Sequence, residues 1–128
     1  MNTKYTVIIA MLLSFALGAA AVQVLHAQAK PPAFFIAENT VTNQEGYTKE
    51  FLPPVTKSIL DGGGKFIARG GKTVSYLGAP PAPRVIVIQF ESLDTAQAWM
   101  NSSSNKAAQA IGDKYATFRG YAVEGVSP

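Results

Sequence analysis

A chain of 128 residues, 48% hydrophobic and 15% charged, has room for one compact domain of ordinary globular composition. Its formal net charge of +3 is too mild and too scattered along the chain to argue for nucleic acid. Cysteine is absent, so no disulfide supports the fold and packing must hold it alone.

Residues 1–29 are set apart as an export signal. Lys4 gives a positive start, "VIIAMLLSFALGAAAV" is apolar, and "AQA" at Ala27 to Ala29 has the small residues of a cleavage site. Cleavage there leaves Lys30 as the mature start and places the domain in the periplasm or outside the cell, with no remaining membrane contact. The alternative is an uncleaved anchor, since Tyr5 to Leu25 is nearly long enough to span a bilayer, although Thr6, Ser14, Gly18 and Gln23 interrupt it. No cysteine follows the apolar run, so a lipoprotein-type thioether is excluded.

The one histidine, His26, lies within that segment. The mature chain therefore has neither His nor Cys. The usual zinc, haem and copper ligand sets are excluded, as are Cys/His and Ser/His nucleophiles. No run of spaced carboxylates suggests an oxygen-ligated metal. No cofactor and no metal are expected.

Lys30 to Pro32 reads as a short extended linker, because proline fixes its own backbone and biases the residue before it away from helix. The domain is expected over residues 33–125, with a tail at 126–128. "AFFIAENTV", 33–41, predicts a strand with Phe34, Ile36 and Glu38 on one face and Phe35, Ala37 and Asn39 on the other. The period then changes. Asn43 is a candidate N-cap, and Tyr47, Phe51, Val55 and Ile59 form the apolar stripe of a helix running to about Leu60. Pro53 and Pro54 predict a kink or a division into two short helices. "DGGG", 61–64, is a turn that tolerates positive φ; "GGGK" within it lacks the rest of a phosphate loop.

"KFIARGGKTVSYLG", 65–78, reads as one long strand with a bulge at Gly70 and Gly71. "APPAP" is a connection, and "RVIVIQFE", 84–91, is a strand covered on both faces and hence central in a sheet. Ser92 caps a second helix with Leu93, Ala96, Trp99 and Met100 inward. A capped break at "NSSSN", 101–105, precedes the helical "KAAQAIGDKYA". "TFRGYAVEG", 117–125, is the last strand.

The order strand, helix, strand, strand, helix, strand predicts an α+β, ferredoxin-like βαββαβ sandwich: a four-stranded antiparallel sheet with two helices on one face. The helix-free face is apolar too, and a lone protomer would expose it. A sheet-to-sheet homodimer is expected.

"AFFIAENTVTNQEGYTKEF", "GGKFIARGGK", "RVIVIQFESLDTAQAWMNS" and "YAVEG" resemble domain of unknown function family 1330 (DUF1330), of the dimeric α/β-barrel group, over roughly residues 33–125. The leader followed by "LHAQAKPP" looks like its exported branch. The resemblance implies a ferredoxin-like protomer and a dimer whose two sheets enclose a barrel. It implies no established activity. The wider group includes cofactor-independent monooxygenases, haem-degrading enzymes and chlorite dismutases, and the haem branches generally lean on histidine.

Tyr47, Phe51, Trp99 and Met100 stand at helical spacing and read as core. Glu38, Arg69, Arg119 and Tyr121 are the candidate ligand-binding set, because a charge in a strand needs a partner or a water-filled cavity. One reading is an ion pair serving the dimer. The other is a polar spot in an apolar barrel that orients a small organic acid or oxygenated aromatic, with Arg69 holding the anion and Glu38 available as a base. In that version the glycine bulge aims Arg69 into the dimer cavity, where it meets Glu38 or a ligand carboxylate. Function is thus expected to be ligand binding without turnover, or alternatively a cofactor-independent monooxygenase-like or isomerase-like reaction.

Overall fold

The computed structural model describes residues 30–128, and the expected export segment lies outside them. Four strands, β1 (Ala33–Val41), β2 (Lys65–Arg69), β3 (Arg84–Phe90) and β4 (Ala116–Glu124), form one sheet in the order β2-β3-β1-β4. All three pairings are antiparallel. The helices α1 (Leu52–Asp61), α2 (Leu93–Met100) and α3 (Ser103–Gly112) complete an α+β domain with ferredoxin-like strand order. Among the described residues no helix is long and apolar enough to cross a membrane.

Period-2 alternation decides which side chains meet the helices. Ala33, Phe35, Ala37 and Asn39 of β1 lie opposite Phe90, Ile88, Ile86 and Arg84 of β3, so all eight share a face. That face is the covered one: Ala33, Ile86, Ile88 and Phe90 are buried with Ile59 of α1 and with Ala96 and Trp99 of α2. The alternate residues, Phe34, Ile36 and Glu38 of β1 and Val85 and Val87 of β3, point away from the helices and are only half-buried. β3 is an interior strand, as its continuous apolar run predicts, with one face left without helices.

The helical stripe from Tyr47 to Ile59 keeps its phase across the two prolines by an unexpected device. A single α-turn, Gln44–Gly46, is capped by Asn43, whose side chain accepts from the Gly46 amide. A π-helical stretch, Tyr47–Phe51, follows and leads into α1, which carries Pro53 and Pro54 in its first turn. Proline lacks an N–H and crowds the carbonyl four residues back, and the wider π turn, closed by the Leu52 amide on the Tyr47 carbonyl, fits both to a continuous helical segment. The expected kink is thus a π stretch.

The second strand differs from expectation more sharply. β2 stops at Arg69 instead of running to residue 78, and its bulge falls between Phe66 and Ala68, at Ile67, instead of at the glycines. Gly70 adopts φ +67°, and its amide donates to the Val85 carbonyl at 2.8 Å. Continuing that register would set residues 72–74 against Pro83, Ala82 and Pro81, and a proline has no amide with which to continue a ladder. The strand-like alternation beyond Gly71 therefore finds no partner, and Val74, Tyr76 and Leu77 lie exposed in an irregular segment.

Ser92 caps α2 through the Thr95 amide, and Ser102 caps α3 through the Asn105 amide. The serines and asparagines of "NSSSN" are thus a helix break with its cap, but α3 begins at Ser103, within the stretch expected to be the break.

Candidate functional site

Three of the four predicted residues lie on the helix-free face and satisfy one another. Glu38 and Arg119 are direct cross-strand partners, with Arg119 Nη1 3.1 Å from Glu38 Oε2. The other Glu38 oxygen accepts the Ala82 amide at 2.9 Å, which ties the approach to β3 onto β1. The Arg119 guanidinium stands 5.9 Å from the Tyr121 ring. Arg119 is 76% exposed and Glu38 16%, so the carboxylate has two partners and the guanidinium has water.

Arg69 does not join them. It lies opposite Ile86 and through it Ala37, whereas Glu38 lies opposite Val85, one residue out of step. One residue in a strand is the other face. The expected meeting of Arg69 with Glu38 is therefore overturned: Arg69 lies on the helix side, donates to Thr56 Oγ1 of α1 at 2.7 Å, and stands 4.2 Å over the Phe66 ring. Phe66 and Arg69 are three positions apart and share a face because Ile67 is the extra residue of the bulge. A bulge does aim the arginine, from a different place and in the opposite direction.

On the helix side there is a cavity of about 320 Å³. Phe35, Phe51, Phe66, Trp99, Met100 and Phe118 give it aromatic and apolar walls. Tyr47, Phe51 and Trp99 are buried as a core reading predicts, and they are cavity wall as well. Trp99 meets Phe35 edge-on at 5.0 Å and stacks on Phe90 at 5.3 Å, and its indole N–H donates to Ser58 Oγ at 3.2 Å. These three contacts hold the ring in place.

Besides Asn105, Gln109 and Arg119, the polar residues lining the cavity are Asn39, Tyr47, Arg69 and Arg84. Asn39 and Arg84 are direct cross-strand partners on the covered face. Asn39 Nδ2 donates to Tyr47 Oη at 3.0 Å, and the Arg84 guanidinium stands 5.6 Å from the Tyr47 ring. Its Nη1 reaches back to Gly70, where a Cβ would sit 2.6 Å away, so it ends beside the residue that follows Arg69. Arg84 and Arg69, the latter bonded to Thr56, both line the cavity.

The cross-strand pair Asn39 and Arg84 is incompletely hydrogen-bonded. Asn39 is 4% exposed and Tyr47 1%, yet Asn39 Oδ1 and Arg84 Nε are buried with no hydrogen-bond partner. Among the described residues neither Arg69 nor Arg84 has a carboxylate within ion-pair distance. Buried polar atoms are nearly always paired, so two orphans of opposite kind on one cross-strand pair are an exception on this face. No group of three or more carboxylates or imidazoles among the described residues could hold a metal. Outside the cavity, the exposed Tyr115 hydroxyl donates to Glu50, and that hydrogen bond raises its pKa.

The fold and cavity can be set beside known proteins. The family model described as "Domain of unknown function (DUF1330)" matches residues 32–126, and the chain belongs to that family. No curated protein matches the chain. Among solved structures, a protein of unknown function from Rhodopseudomonas palustris is similar with a TM-score of 0.61 at 11% identity, covering 84% of this chain and 94% of that one. SnoaB, a cofactor-independent oxygenase from Streptomyces nogalater, is similar with a TM-score of 0.55 at 9% identity, covering 77% of this chain and 96% of that one. At such identities the likeness concerns the fold.

Proposed function

We propose that this member of the family binds a small organic anion in the helix-side cavity of each protomer, without turnover. One observation carries the reading: an aromatic-walled cavity of about 320 Å³ lined by three arginines, two of which, Arg69 and Arg84, have no carboxylate at ion-pair distance among the described residues. Mostly apolar walls with a few convergent polar groups are the usual make-up of a small-molecule site. Binding without turnover is preferred because no Asp, Glu, His or Lys is among the residues lining the cavity, so it offers no ordinary general base.

The assembly belongs to the same proposal. Tyr121 and Val123 on the helix-free face are exposed, and Phe34, Ile36, Val85 and Val87 beside them are half-buried, which supports a homodimer packed sheet to sheet. Export with cleavage after Ala29 places that dimer in the periplasm or outside the cell. Native mass spectrometry of protein purified from its host tests all three parts: the expected species is a dimer of chains beginning at Lys30, each carrying a retained small molecule. Empty protomers that also take up no aromatic acid would overturn the binding reading, while a monomer or an uncleaved chain would each remove its own part only.

The second reading is a cofactor-independent oxygenase, and the backbone likeness to SnoaB favours it. Such a reaction needs a substrate acidic enough to ionise beside the arginines, since the wall supplies no carboxylate to deprotonate it. Oxygen uptake by the host-purified protein on electron-rich phenols and enols separates the two readings.

A further inference from the structure

We propose that residues 71–81 form an arm that docks on a second copy of this chain and adds a strand to the open edge of its β4; this rests on the homodimer reading above and names a further part of that interface. Within one protomer the segment is unfinished. Among the described residues, 71–81 make no hydrogen bond through backbone or side chain, and a Cβ at Gly71 or Gly78 would meet nothing within 4 Å. Val74, Tyr76 and Leu77 are between 81% and 93% exposed, whereas Tyr121 and Val123 of the helix-free face are just under half exposed. Residue for residue, the arm has more apolar surface to remove from water than that face does.

The ends of the arm set its direction. It leaves the sheet after Gly70, turns at Gly78, where φ is +73°, and returns through Pro80, Pro81 and Pro83, whose fixed φ stiffens the returning limb. On that limb the Ala82 amide is bonded to Glu38, which points to the helix-free face. The root of the arm is thus tied to the side over which the second sheet packs in the homodimer reading. Packed sheets lie about 10 Å apart and six extended residues reach about 20 Å, so 72–77 spans that gap with length to spare.

The pattern of the arm fits what it meets there. Val74 and Tyr76 alternate with Thr73, Ser75 and Leu77, the period of a strand, yet among the described residues no ladder partner accompanies them. β4 is the edge strand on the far side of the sheet: nine residues, paired to β1 without a register shift, its outer edge open among the described residues. The edge at β2 is five residues long and broken by its bulge. An open edge takes an added strand through backbone hydrogen bonds, with alternate side chains giving the rest of the contact. To reach β4 of its own protomer the arm would have to run across β3 and β1 instead of along a strand. A two-fold axis along the strands of two facing sheets lays the β2 edge of each over the β4 edge of the other, so both arms dock at once. Lys72 is the arm's one charge, which leaves backbone and apolar contact, not charge, to choose the partner.

Amide hydrogen exchange on protein purified from its host, at concentrations where sedimentation shows dimer and then protomer, tests the arm. In the dimer the amides of 72–77 are expected to exchange at least about tenfold more slowly than in an unstructured chain, and to lose that protection on dilution. Val74→Ser, Tyr76→Ser and Leu77→Ser combined are expected to raise the dimer dissociation constant at least about tenfold. The circular dichroism of the protomer should not change, because all three side chains are exposed in it. A dimer of unchanged affinity in that variant, or arm amides left unprotected in the dimer, overturns the arm and leaves the homodimer standing. Protection equal in dimer and protomer places the arm on its own chain, and protection that needs added phospholipid vesicles gives it to a membrane; either overturns the proposal. A protein that is monomeric at every concentration overturns the arm and the homodimer together.

Discussion

The two faces of the sheet are built from the same strands and similarly apolar residues, yet they treat polar groups in opposite ways. On the helix-free face Glu38 is matched twice, by Arg119 and by the Ala82 amide, although water is at hand. On the covered face, shielded from water, Asn39 Oδ1 and Arg84 Nε go unmatched. Irregular backbone also collects on the covered side: the π stretch supplies Tyr47 and Phe51 to the cavity wall, and the Ile67 bulge brings Arg69 round to it. Polar pairing where it is cheap to leave undone reads as architecture. Polar orphans on the covered face are costly, and the proposed site lies on that face.

The comparison breaks most readily at two neighbours in β3. Ile88 is 2% exposed on the covered face, and Ile88→Ala is expected to cost about 3 kcal/mol in urea unfolding. Val87 points the other way and is half-buried, so Val87→Ala in an isolated protomer should cost about 1 kcal/mol. The proposed sheet-to-sheet dimer sharpens the contrast. Val87→Lys is expected to halve the mass seen by sedimentation while the protomer stays folded, because a buried ammonium without a partner cannot be kept at that interface. An unchanged dimer would move the interface off this face.

The next contrast is between two adjacent glycines. Gly70 has φ +67° and no room for a Cβ beside Arg84 Nη1, whereas Gly71 has nothing within 4 Å of where its Cβ would be. Gly70→Ala should therefore cost about 1–2 kcal/mol for the left-handed backbone, with displacement of the Arg84 side chain in addition. Gly71→Ala should be within about 0.5 kcal/mol of the parent. Equal effects at both positions would mean that the chain past Arg69 does not hold the turn at Gly70.

These two glycines also show where sequence reasoning reached and where it stopped. The element order and the interior place of β3 were legible, because a helical stripe from Tyr47 to Ile59 and the continuous Val85 to Ile88 run each have one economical explanation. The glycine pair predicts an extra residue near 70, but the bulge sits at Ile67, which has no compositional mark, and a shift of one residue inverts the face of Arg69. The site itself was half visible. Alternation puts Asn39 on the face of Phe35 and Ala37, a polar side chain in an apolar phase, and that was the available signal. Glu38 and Arg119 carry the conspicuous charges of these strands, but they satisfy each other. Nothing local marks Arg84 as Asn39's partner, since register is a property of two strands and not of either one.

The smallest expected effects lie on the helix-free face, within one ion pair. Arg119 is three-quarters exposed, so its attraction to Glu38 is screened by water and offset by the ordering of a long side chain. Arg119→Ala is expected to change stability by less than about 0.5 kcal/mol, and less still in 1 M salt. Glu38→Ala removes more, because the carboxylate also accepts the Ala82 amide and would leave that N–H without its partner, a loss of about 1–2 kcal/mol. A double-mutant cycle divides these parts. Coupling within about 0.5 kcal/mol of zero leaves Glu38 as the clip that holds residue 82 against β1, with Arg119 a bystander. Coupling of about 2 kcal/mol or more would require the pair to be shielded from water in solution. Because neither residue is that deeply covered within one protomer, such a value would be energetic evidence for the second sheet packed over them.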